Sequence, residues 1–107
     1  MLLPGNTAKF PSVRPEHGGR LELKLTQASP TTARYALSIF SPRGDATTEV
    51  SLDCDTGKLD IAEWRGTPPA AWLDTFARAL LKTVVRNKSG DSEWPRRITR
   101  WRPEPRP

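Results

Sequence analysis

The chain has 107 residues, 36% of them hydrophobic and 7% aromatic, with eleven prolines and one cysteine, so it makes one domain at most and no disulfide within itself. Its formal net charge of +5 is unevenly spread: residues 1–77 hold eight Lys or Arg against nine Asp or Glu, whereas residues 78–107 hold nine against three, a segregation that points to an anionic partner. No apolar run approaches the roughly 18 residues of a membrane span, and Met1-Leu2-Leu3 stops at Pro4-Gly5 instead of continuing as a secretory leader, so the expected compartment is the cytoplasm.

Residues 1–19 carry three prolines and three glycines without a helical or strand period, which predicts an extended arm. His17, the only histidine, lies in this arm and reads as a solvated side chain. Residues 20–27, RLELKLTQ, then alternate, with Leu21, Leu23 and Leu25 on one face and Glu22, Lys24 and Thr26 on the other. Period two marks a half-buried strand. A turn at Ser29-Pro30 leads to a second strand, with Tyr35, Leu37 and Ile39 inward and Arg34, Ala36, Ser38 and Phe40 outward.

The turn at Ser41-Pro42-Arg43-Gly44 precedes a third strand, which places Thr48, Val50, Leu52 and Cys54 inward. Asp55-Thr56-Gly57-Lys58 is the clearest turn signal in the chain, with glycine where a positive φ is needed. A fourth strand over 58–65 puts Leu59 and Ile61 inward and Asp60, Ala62 and Trp64 outward, but Glu63 falls at inward parity. Short turns require antiparallel pairing, since parallel strands need crossovers of about a dozen residues.

From Thr67 to Lys88, Leu73, Phe76, Ala77, Leu80 and Val84 recur at helical spacing and form an apolar stripe, while Arg78, Lys82 and Arg86 form a cationic ridge on the other side. Thr67 fits an N-cap and Pro68 the first helical position. The expected architecture is therefore α+β: a four-stranded antiparallel meander, one long helix packed on one sheet face, and a short basic C-terminal tail. Its segments are an arm at 1–19, a ββββα domain at 20–88 and a Trp/Arg/Pro-rich tail at 89–107. In the tail, the spacing of Trp94, Ile98 and Trp101 fits a short helix started by Pro95. The opposite sheet face shows Phe40, Trp64, Ala36 and Ala62 among charges, more apolar than an outer face requires.

No enzyme constellation emerges. One cysteine and one histidine make a poor start for a zinc site, Cys54 falls at inward strand parity, and Gly18-Gly19 precedes a strand rather than a helix. The chain is thus expected to be non-catalytic, without cofactor or metal. Arginine offers a planar charged fork for phosphate and tryptophan a flat face for a base. The candidate contacts are Arg78, Lys82, Arg86, Arg96, Arg97, Arg100 and Arg102 for phosphates, with Trp94 and Trp101 for bases.

Four meandering strands followed by a long helix resemble, in the order of elements over about residues 20–88, the Whirly-like group of single-strand nucleic-acid binders, which includes transcriptional coactivators. The lysine-glycine-lysine signature of its plant members is not present. The resemblance implies dimers or larger assemblies and nucleic acid on the strand face. The leading expectation is a module that binds single-stranded DNA or RNA, with a homodimer as partner state. The alternative is a protein-interaction module whose sheet face pairs with another chain and whose basic tail meets an acidic protein surface.

Overall fold

A computed structural model describes residues 17–88 and 92–105. Residues 1–16 of the expected arm, the helix stop expected at 89–91 and the last two residues lie outside the described residues. The fold is mixed α+β. Strands β1 (Gly19–Ala28), β2 (Thr32–Ser41), β3 (Gly44–Asp53) and β4 (Lys58–Ile61) form the meander, followed by β5 (Arg65–Gly66), helix α1 (Ala71–Asn87) and β6 (Arg97–Arg102). All strand pairs are antiparallel, in the order β4-β3-β2-β1-β6, with β5 also on β3.

Strict alternation in the first three strands becomes a two-faced sheet. Leu21, Leu23, Ala33, Tyr35, Leu37, Ile39, Ala46, Val50 and Leu52 are buried together with Leu73, Ala77, Leu81 and Val84 of α1. Each large side chain so buried contributes on the order of 1.5–3 kcal/mol before the entropy of ordering is subtracted. The turns behave as their residues require. Gly57 takes a φ of 77°, and the Asp53 carboxylate accepts the backbone N–H of Asp55 at 2.8 Å, so Asp53 shapes the turn it precedes. Cys54 is half-buried against the core with a free thiol.

Three details depart from the expected pattern. First, α1 begins at Ala71 with Ala70 as a cap that makes no side-chain hydrogen bond, so Thr67 is not the N-cap. The Thr67 N–H instead donates to the Asp45 carbonyl at 2.9 Å and extends the sheet past β5. Pro69 also holds Pro68 out of the helical region. Second, the buried stripe runs through Leu81, while Phe76 and Leu80 are only partly buried. These two lie on the flank of α1 that faces β6, with the sheet edge beneath them.

Third, Trp64 packs against the core rather than on the outer face. Val50 lies opposite Ile61 and Thr47 opposite Arg65, so Thr48 and Glu49 face three residues, 62–64. That bulge is held by the Thr48 hydroxyl, which donates to the Ala62 carbonyl at 2.8 Å. One extra residue reverses the parity of everything after it, turning Trp64 inward and leaving Glu63 exposed.

Candidate functional site

The largest correction concerns the C-terminal segment. It forms strand β6 beside β1, with Ile98 opposite Leu23 and Trp101 opposite Arg20, and not the short helix that the Trp94/Ile98/Trp101 spacing suggests. A six-residue helix could not stand alone in water, whereas the open edge of β1 offers a ready row of backbone partners. Ile98 enters the core cluster, so the strand is held by apolar burial as well as by its ladder.

Two aromatic side chains fix the approach to that strand. Trp94 is 5% exposed, and its indole N–H donates to the Ser29 carbonyl at 2.8 Å. Its ring also carries the Lys88 ammonium 5.5 Å from the centroid. Buried Tyr35 donates its hydroxyl to the Pro95 carbonyl at 2.7 Å, and burial pushes its pKa up to about 12. Trp94 is therefore a clamp in the structure, with no free face for a base. A large aromatic just before a proline carries no sequence mark that separates clamp from platform.

Period two along β6 then divides its side chains. Arg97, Thr99 and Trp101 share a face with Lys24, Glu22 and Arg20, while Ile98, Arg100 and Arg102 turn to the helix side. Trp101 is 51% exposed, the only large hydrophobic side chain so open among the described residues. His17 meets it edge to face, with ring centroids 6.0 Å apart. Arg97 is committed within the chain: its guanidinium donates to the Glu22 carboxylate at 2.6 Å. That hydrogen bond holds the Glu22 pKa below the usual carboxylate range, against the opposing effect of burial.

Arg96, Arg100 and Arg102 are exposed and, among the described residues, pair with no carboxylate. Arg102 lies over the Phe76 ring at 5.0 Å, beside an open groove walled by Trp72, Phe76, Ala79 and Pro103. Arg100 lines a second groove with Leu80 and Thr83 along the same helix flank. The edge strand thus carries an exposed indole on one face and two unpaired guanidinium groups on the other.

The helix ridge is less unified than its spacing implies. Arg78, Lys82 and Arg86 are all exposed, but Arg78 is paired with Asp74 at 3.0 Å. Because successive i+4 positions drift around a 3.6-residue helix, only Arg86 leans toward the β6 flank. The structure therefore places Arg100, Trp101 and Arg102 on β6, with Arg96 just before it, and leaves Arg78 and Lys82 apart from them. Arg20, which sequence reasoning left out of the site, lies in a cross-strand row between Trp101 and Phe40, and its Nε is shut from solvent without an acceptor among the described residues.

Beyond this strand, the sheet face away from α1 is uncovered among the described residues. It carries Arg20, Lys24 and Arg97 against Glu22 on β1 and β6, and Asp45, Glu49, Asp53 and Asp60 against Lys58 on β3 and β4. No group of three or more His, Cys, Asp or Glu able to hold a metal occurs among the described residues. No described helix is long and apolar enough to cross a membrane. Comparison with known protein families, curated proteins and solved structures finds no match to this chain.

Proposed function

We propose that the protein binds single-stranded nucleic acid, without catalysis, along edge strand β6. The observation that carries this reading is the exposed Trp101 indole on the open face of the edge strand, with Arg100 and Arg102 on the other face of the same strand and neither neutralised by a carboxylate among the described residues. An indole gives any base a stacking face, and flanking guanidinium groups reach phosphates without reading sequence. A six-residue strand is about 20 Å long, enough for a short run of nucleotides. Arginines along the edge also oppose strand addition by another protein chain, which favours nucleic acid over a peptide there.

The rebuilt site predicts fewer phosphate contacts than a count of arginines would give, because Arg97 and Arg78 are already paired. With about three or four phosphates neutralised, the logarithm of affinity should fall with that of salt at a slope of roughly −2 to −3. Fluorescence anisotropy of a labelled thymidine oligonucleotide across a salt series measures it. Absence of salt-sensitive binding at micromolar protein would refute the proposal.

A further inference from the structure

Trp101 and the unpaired arginines of β6 lie on opposite faces of one strand, so a ligand that uses both has to reach them around its free edge. The ladder sets what that edge offers. The Leu25 N–H donates to the Arg96 carbonyl at 2.9 Å, and in an antiparallel pair the hydrogen-bonded positions recur at every second residue. Ile98, Arg100 and Arg102 therefore turn their backbone groups to β1, while Arg97, Thr99 and Trp101 turn theirs outward, where the described sheet ends.

Thr99 stands at the middle of that outward row, and its carbonyl is already taken: the Arg100 guanidinium donates to it at 2.9 Å. An uncovered carbonyl there would repel a phosphate and welcome the N–H of an added strand. Covered by a guanidinium, it does neither. The centre of the edge thus offers donors alone, the Thr99 N–H and the remaining N–H groups of Arg100, which suits an anion with several acceptor oxygens and denies an added β-strand half its ladder at that position.

A place for a base lies on either side of this edge. On the open face it is the Trp101 indole. On the helix side Arg102 lies over the Phe76 ring at 5.0 Å, which holds the guanidinium plane beside the groove walled by Trp72 and Pro103, where Glu104 is the one acid among the lining residues. Bases stack on guanidinium planes as they do on aromatic rings. Positions 99 and 101 are about 6.8 Å apart along the strand, close to the backbone length of one extended nucleotide. Resting on the function proposed above, we propose that the phosphodiester backbone runs along the outer edge of β6, with a phosphate seated on the Thr99 N–H and the Arg100 guanidinium. Neighbouring bases splay to opposite faces, one onto Trp101 and one against Arg102 in the groove beside Phe76 and Trp72.

Thr99→Pro tests the phosphate seat on the full chain. The Thr99 N–H faces away from β1, so proline at this edge position removes the donor without breaking a ladder bond. Anisotropy with a labelled thymidine oligonucleotide should show binding about tenfold weaker, since a hydrogen bond to a charged group is lost. Thr99→Val keeps the N–H and should bind like wild type. Photocrosslinking of the wild-type chain to the same oligonucleotide, with iodouracil replacing single thymines, tests the path without relying on a variant that has to fold. Crosslinks are expected at Trp101 and also at Trp72 or Phe76. Wild-type binding without a crosslink on the helix side, or a Thr99→Pro chain that binds as tightly as wild type, overturns the path around the edge and leaves the proposed function standing. A wild type with no salt-sensitive binding removes both.

Discussion

Replacing Trp94 with alanine separates a structural anchor from a binding surface. The indole is 5% exposed, donates a 2.8 Å hydrogen bond to Ser29 and lies under the Lys88 ammonium, so truncation leaves a cavity as well as an unmade bond. Large-to-small changes at such aromatic positions cost about 3–5 kcal/mol. The lost hydrogen bond is included in that figure and adds little separately, because the Ser29 loop is exposed and water can satisfy its carbonyl. Set against a total stability of about 5–15 kcal/mol, this is a large fraction.

Urea unfolding followed by far-ultraviolet circular dichroism is the assay, with Trp94→Phe as the companion. Phenylalanine keeps most of the apolar volume and loses the N–H, so it should cost less than half as much as alanine. If β6 detaches before the rest unfolds, the alanine variant should also show a reduced m value, reporting a smaller cooperative unit. A Trp94→Ala protein within about 0.5 kcal/mol of wild type would refute the assignment of Trp94 as the clamp.

Three further outcomes follow from the packing. Tyr35 is the only tyrosine, and its folded pKa of about 12 lies above the ordinary value near 10. The linked stability is therefore complete below about pH 10 and lost as pH rises toward 12, and an absorbance titration showing ionisation near 10 in the folded protein would contradict the burial. The Glu22 pKa is depressed, foremost by its Arg97 hydrogen bond, so its contribution is present above the ordinary carboxylate pKa and lost as pH falls through the folded value. Glu22→Gln should flatten the acid limb of stability below the ordinary carboxylate pKa in urea titrations, and an unchanged acid limb would argue against the pair. A Cβ at Gly19 would overlap the buried Leu73 methyls, so Gly19→Ala should cost about 1–3 kcal/mol and couple non-additively to Leu73→Ala in a double-mutant cycle.

The meander was legible because each of its first three strands alternates without a break, so a single-face core follows from period two alone. The bulge at 62–64 was not legible, since it consists of ordinary residues whose only local sign is Glu63 at the wrong parity. Its consequence, Trp64 turning inward, requires knowing the β3 register. The tail misled for a related reason. Trp94, Ile98 and Trp101 have helical spacing but three different fates: Trp94 clamps a loop, Ile98 enters the core and Trp101 faces out. What recruits them is the unpaired edge of β1, a long-range partner that no window of the sequence contains. The arginine count survived in composition yet not in availability, because Glu22 and Asp74 each take one guanidinium.

The central claim is that β6 both completes the sheet and presents the nucleic-acid contact, with Trp101 outward and Trp94 inward. A two-dimensional amide NMR titration of the full chain with a thymidine oligonucleotide tests it most directly. The account predicts that the Trp101 indole N–H and the amides of β6 shift progressively while the Trp94 indole N–H, bonded to Ser29, stays in place. Shifts confined to the α1 ridge, or none on β6 at saturation, would contradict it.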